Sequence, residues 1–287
     1  MSVKHKALLL ILIFCCFEIT AQDSFSFAFI TDVHLNKGGG NAYGGLEKAL
    51  KSVRQQKAAF IITGGDNVDA DDKPENRKDE VFTLYRDYKN FLTQTRLPYH
   101  VTIGNHDRFW AKENANKHLN NDGMFRQFFP KTYYSFQYKG WKFFILNSVQ
   151  SFGNLYPVID STQQAWLREE LQNTPKTQPI VISTHVPFLS VYYVILEGKY
   201  TDTDIVKNQH QVLKMFDGYN LKLVLQGHMH LYEEIKVKNI QFITGGAVSA
   251  SWWGGSYHGT EEGYLLVNVK GNDFSWKYID YGWEVKK

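Results

Sequence analysis

Five apolar stretches of this 287-residue chain run directly into residues able to hold a metal ion. Ser24 to Thr31 leads into Asp32 and His34, and Phe60 to Thr63 is stopped by Gly64-Gly65-Asp66. Tyr99 to Ile103 meets Gly104-Asn105-His106-Asp107, Ile180 to Ser183 precedes His185, and Leu221 to Leu225 precedes His228 and His230. Between the first three stretches, Leu46, Ala49, Leu50 and Val53 and then Val81, Leu84, Tyr85 and Tyr88 recur at helical spacing. Strand, helix, strand, helix, strand is the order that favours parallel strands joined by helical crossovers. In such sheets ligands gather at the carboxyl ends of the strands, so the five endings are expected on one rim.

The rest of the chain is consistent with a single domain over residues 22–287. Tyr133–Tyr138 and Trp141–Leu146 flank Lys139-Gly140 and read as a hairpin. Thr162 to Leu171 reads as a helix with Ser161 as its cap. Arg108 to Asp122 is polar and reads as a surface excursion. From Glu233 onward four alternating stretches read as a β-meander.

The first 21 residues read as a signal peptide. Lys4 and Lys6 precede an apolar run from Ala7 to Phe17, too short to span a bilayer, and Ala21 supplies a small residue before a cut ahead of Gln22. This predicts an exported protein, periplasmic or secreted, without a stable membrane anchor. Cys15 and Cys16, the chain's two cysteines, both fall in that leader. The mature chain then has no thiol, and a metal must be held by His, Asp, Glu or Asn. The net charge of +3 is spread without a Lys/Arg block, so no polymeric nucleic acid is expected as a partner.

Taken singly, each motif has an ordinary structural explanation, such as a turn aspartate or a packed histidine. Their conjunction is more specific. The ordered series Asp32-x-His34, Gly65-Asp66, Gly104-Asn105-His106-Asp107, His185 and Gly227-His228-x-His230 resembles the calcineurin-like metallophosphoesterase superfamily. The resemblance implies an α/β fold, a four-layer α/β/β/α sandwich of two mixed β-sheets flanked by helices. It implies Asp32, His34 and His230 as ligands of one metal ion, Asn105, His185 and His228 as ligands of a second, and Asp66 as the bridge. Two such ions clamp phosphate oxygens and convert a water between them to hydroxide. The donor set suits Mn, Fe, Zn or Co. Purple acid phosphatases resemble this series but carry a Tyr soon after the bridging Asp; Asp66-Asn67-Val68-Asp69 has none, so a tyrosinate-bound ferric site is not expected.

The resemblance further implies His106 as the acid that protonates the leaving alkoxide. Asp69 is the expected partner orienting that ring, with Asp107 as an alternative. Arg108 is a candidate phosphate contact, with a solvated loop as the more ordinary explanation. Trp252 and Trp253, on a glycine-rich loop, are candidates to flank the substrate; plain core packing is the alternative for both. The expected activity is hydrolysis of a small phosphate ester, diester or monoester. A non-enzymatic module that kept the fold is the main alternative, and a mononuclear hydrolase the third.

Overall fold

The computed structural model describes residues 24–152 and 155–285. The signal-peptide reading of residues 1–21 lies outside them. The chain order is β1 (Ser24–Ile30), α1 (Ala42–Gln55), β2 (Phe60–Thr63), α2 (Lys78–Gln94), β3 (Tyr99–Val101), α3 (Gly123–Arg126), β4 (Tyr134–Tyr138), β5 (Trp141–Ile145), β6 (Gln150–Phe152), β7 (Leu155–Val158), α4 (Ser161–Gln172), β8 (Pro179–Ser183), α5 (Tyr192–Leu196), α6 (Gln209–Lys214), β9 (Asn220–Gln226), β10 (Tyr232–Val237), β11 (Ile240–Gly245), β12 (Gly263–Lys270) and β13 (Asp273–Asp280).

Two mixed sheets form the body. The first runs β13-β12-β1-β2-β3 and the second β10-β11-β9-β8-β5-β4. Within the first, β1, β2 and β3 are parallel; within the second, β5, β8, β9 and β11 are parallel. The period-2 alternation of β1 explains the layering. Phe25, Phe27 and Phe29 enter an inter-sheet core with Phe60, Phe143 and Leu225, while Ala28 and Ile30 turn to the opposite face, under the helices. Leu46, Ala49 and Val53 of α1 and Val81, Leu84 and Tyr85 of α2 are buried there. On the outer face of the second sheet, Phe144 meets Trp166 of α4 and Phe216 just beyond α6. This is the α/β/β/α sandwich expected from the sequence.

Two local expectations are corrected. Asp160, not Ser161, caps α4: its Oδ1 accepts the Gln163 N–H at 2.8 Å, leaving Ser161 as the first helical residue. The last four strands form at the expected places but are not one meander. β10 and β11 join the second sheet, with β11 parallel to β9, whereas β12 and β13 close the first sheet beside β1. Alternation identifies a strand without saying which edge it pairs with.

No helix among the described residues is long and apolar enough to cross a membrane.

Candidate metal centre

The loops leaving β1, β2, β3, β8 and β9 meet at one end of the sandwich, between the sheets. Asp32, His34 and His230 offer ligand atoms within 4.8 Å of one another, and so do Asp66, His185 and His228. Asn105 joins the second group, its Oδ1 lying 2.9 Å from His185 Nε2. The oxygen Asp66 Oδ2 is 3.1 Å from His185 Nε2 and 3.8 Å from His34 Nε2, placing it between the two groups. Its other oxygen accepts the His106 N–H at 2.8 Å.

The loop backbones are forced into this arrangement. Asp32, His34, Asp66, His228 and His230 all have positive φ, between 49° and 73°. A non-glycine residue in that region costs on the order of 1–3 kcal/mol, and such residues cluster at functional sites. Gly65 also has positive φ (97°), and a Cβ there would strike the His185 ring. A Cβ on Gly104 would strike Asp66, so the Gly-Asp and Gly-Asn-His motifs need glycine for close approach.

The donor chemistry fits cations. His230 Nδ1 donates to the Ala250 carbonyl, His185 Nδ1 donates to Gly64 O at 2.8 Å, and His34 Nδ1 lies 2.7 Å from Asp69 Oδ1. With its hydrogen on the outer nitrogen, as in a metal-bound imidazole, each ring would present an Nε2 lone pair inward. His34 Nε2 and His230 Nε2 then face each other at 3.0 Å, with Asp32 Oδ1 3.5 Å from the latter. Around His185 Nε2 the neighbours are again acceptors, Asn105 Oδ1 and Asp66 Oδ2. Converging acceptors without a donor between them suit a positive ion. His228 has its Nε2 3.4 Å from Asp204 Oδ1, which leaves Nδ1 as the inward atom.

Where no cation lies there, a proton compensates the buried carboxylates instead, and a bound ion would displace it. Burial opposes a charge on His185, yet the Asp66 carboxylate beside it lifts the ring to about 9. For His106, burial again opposes the charge, but its hydrogen bond to Asp71 and the nearby Asp66 raise it to about 10. His230 goes the other way, to about 4, because burial dominates.

One predicted pairing is replaced. His106 Nδ1 bonds Asp71 Oδ1 at 2.7 Å, while Asp69 holds His34. Asp69, two residues earlier, follows the bridge that ties Leu35 to Val68 and bonds His34 and Asn36 on the β1 loop. Asp107 does not serve His106 either. Its buried carboxylate accepts from Gly104 N, Asn67 N, Val68 N and Asn67 Nδ2 at 2.7–3.1 Å, tying the β2 and β3 loops together.

The tryptophans separate. Trp253 is fully buried against Gly45 and Trp283, with its indole N–H donating to His34 O at 3.2 Å. It supports the β1 loop and has no face for a substrate. Trp252 is 48% exposed and stacks on His230 at 4.2 Å, so it lies on the rim. Arg108 lies 4.9 Å from the rings of both Trp110 and Tyr156, and donates to Asn105 O and Val149 O. Among the described residues it forms no ion pair, so this cation beside Asn105 lacks an anionic partner. Sequence reasoning missed Asp71 and Asp204. The acidic run from Asp66 to Asp72 contained the first, but spacing does not show which carboxylate faces which ring.

A sandwich of two mixed sheets with this His/Asp cluster at the strand ends defines a metallohydrolase-type architecture. The chain belongs to the calcineurin-like phosphoesterase family, whose sequence pattern matches residues 25–232. Among solved structures it is similar to a dimetal phosphatase from Danio rerio, at 14% identity and TM-score 0.60, covering 90% of this chain and 99% of that one. It is also similar to GAP50, the anchor in the inner membrane complex of Plasmodium, at 16% identity and TM-score 0.59, covering 90% and 85%. At these identities the likeness is one of fold. No curated protein sequence matches the chain. Family and site together support metal-dependent phosphoester hydrolysis as the class of reaction.

Proposed function

We propose that the protein hydrolyses a small phosphate ester, diester or monoester, at a centre of two metal ions. Asp32, His34 and His230 would hold one ion, Asn105, His185 and His228 the other, and Asp66 both. The observation that carries this is the position of Asp66 Oδ2 between His34 Nε2, at 3.8 Å, and His185 Nε2, at 3.1 Å. Bound there, two cations offset charge on phosphate oxygens and make water a better nucleophile. The residues do the rest. His106, its Nδ1 tied to Asp71, presents Nε2–H to the leaving oxygen as the P–O bond breaks, and the proton passes to the alkoxide. Arg108, free of a carboxylate, is positioned to take a phosphate oxygen that faces Asn105.

A scaffold role without catalysis is the competing reading, since the fold is shared with an anchor protein. A scaffold would not need a ring oriented by Asp71 beside a full ligand set. The leader at residues 1–21 supports a site of action outside the cytoplasm. The test is purified protein reconstituted with Mn, Fe, Zn or Co, assayed on p-nitrophenyl phosphate and bis-p-nitrophenyl phosphate with elemental analysis of bound metal. Turnover of either, with close to two metals per chain, is expected. Less than one metal per chain and no turnover under any metal would end the proposal.

A further inference from the structure

Helix α5 inverts the usual logic of burial. Its sequence is Tyr-Tyr-Val-Ile-Leu, and not one of the five residues is buried. Ile195 is 72% exposed, Val191 and Leu196 about 40% each, and Tyr200, just beyond, 92%. Single exposed apolar residues are ordinary, but a contiguous set beside a site marks a contact surface. The helix is nonetheless firmly held. Glu233 accepts from Val191 N and Ser190 Oγ at its start. The Tyr192 and Tyr257 hydroxyls bond at 2.9 Å, and Tyr193 OH donates to Asp204 at 2.6 Å. Lys199 N donates to Tyr193 O, folding the chain back toward the helix just before Tyr200.

These anchors fix where the helix lies. Tyr257 is 5.9 Å from the His230 ring, and Asp204 is 3.4 Å from His228. The polar ends of the tyrosines therefore reach neighbours of His230 and His228, while Ile195 and Leu196 of the same short helix are exposed. Trp252, stacked on His230 and set edge-on to Tyr257 at 5.8 Å, joins the two. Glu197 pairs with Lys199, Asp202 with Lys207, and Asp204 lies against His228 and Tyr193, so the charges along this stretch are partnered.

We infer that the substrate is an amphiphilic phosphate ester, whose phosphate sits at the metal centre and whose apolar ester group lies along Trp252, Ile195, Leu196 and Tyr200. This rests on the hydrolase reading above. An apolar chain laid on a lip rather than enclosed gains about half the full-burial value of about 0.8 kcal/mol per methylene, roughly a twofold gain in affinity for each.

The test compares ethyl with octyl groups, all below micelle-forming concentration. Binding of ethylphosphonate and octylphosphonate to the metal-loaded protein is measured by calorimetry. The specificity constants of ethyl and octyl phosphate, and of their p-nitrophenyl diesters, are measured alongside. The octyl compounds are expected to bind at least tenfold more tightly, and in the double variant I195S/L196S the octyl-to-ethyl ratio should fall at least threefold. Equal affinity for both chain lengths in the unaltered protein overturns the inference even if short esters are hydrolysed, and needs no variant. Chain-length-dependent phosphonate binding without hydrolysis of any ester supports the inference while the hydrolase reading fails. Co-sedimentation with phosphatidylcholine vesicles without chain-length selectivity makes the lip a membrane contact and overturns it, as does a dimer in sedimentation velocity that the double variant dissolves.

Discussion

His34 and His230 point their Nε2 atoms at each other across 3.0 Å, and each has its other nitrogen tied to an acceptor, Asp69 and the Ala250 carbonyl. With both rings neutral their lone pairs would oppose each other, so this orientation calls for a proton or a metal ion between them. Metal binding is therefore expected to stabilise the fold. At a hundredfold excess over Kd the gain is about 2.7 kcal/mol, and a melting temperature higher by about 5 °C is expected for a chain of this length. Scanning calorimetry with and without a chelator measures it; identical melting curves would show that no ion bears on this pair.

The exchange of partners between Asp69 and Asp71 gives two distinct outcomes. Asp71→Asn is expected to leave metal content intact and lower kcat by about tenfold or more, because the His106 ring loses the carboxylate charge that helps it hold the proton it must deliver. Asp69→Asn is expected to weaken metal binding by about 10- to 100-fold, as loss of a ligand's supporting carboxylate does. Elemental analysis alongside kcat separates them, and reversed phenotypes would mean that the pairing is the one the family resemblance implied.

Asp204 supports His228 in the same way from the far side of the site. Asp204→Asn should reduce the affinity for one of two ions and spare the other, read as two unequal steps in a calorimetric metal titration. A single unchanged binding curve would detach Asp204 from the centre.

The neighbouring tryptophans should behave oppositely. Trp253→Ala empties a fully buried site against Gly45 and is expected to cost about 3–5 kcal/mol. Trp252→Ala, at the exposed rim, should change stability by less than about 1 kcal/mol and raise KM. Urea unfolding of the two variants decides this, and a severe loss in Trp252→Ala would return that residue to the core.

His100 gives the fold an acid sensitivity away from the metal centre. It lies between Phe60 and Phe136, and burial lowers its ring to about 4 from 6.5. The folded protein keeps this ring neutral where the unfolded chain protonates it. The unfolded chain thus binds more protons between pH 6.5 and about 4, and stability falls as pH falls through that window. His100→Phe keeps the ring packing and removes the proton site. Its urea midpoint should decline less than that of the unaltered protein between about pH 7 and about pH 5; parallel declines would assign the acid sensitivity elsewhere.

The ligand types and their place at strand ends were legible in the sequence, because an apolar run that stops at Asp32, Asp66 or His185 marks both the strand and the polar residue that ends it. The parallel core and the helices α1 and α2 were legible for the same reason: alternation and 3.6-residue spacing are local properties. What the sequence left open were choices between close neighbours. Asp69 against Asp71, Trp252 against Trp253 and Ser161 against Asp160 differ by one or two positions, and direction at that scale depends on backbone dihedrals. In these loops the dihedrals are unusual, with Asp32, His34, Asp66, His228, His230, Trp252 and Trp253 all at positive φ. Only the packed structure, in which Gly65 admits His185 and Gly45 admits Trp253, holds them there. The division of the last four strands between two sheets was a tertiary decision as well, since β11 pairs with β9 and β12 with β1 across long separations that no local pattern records.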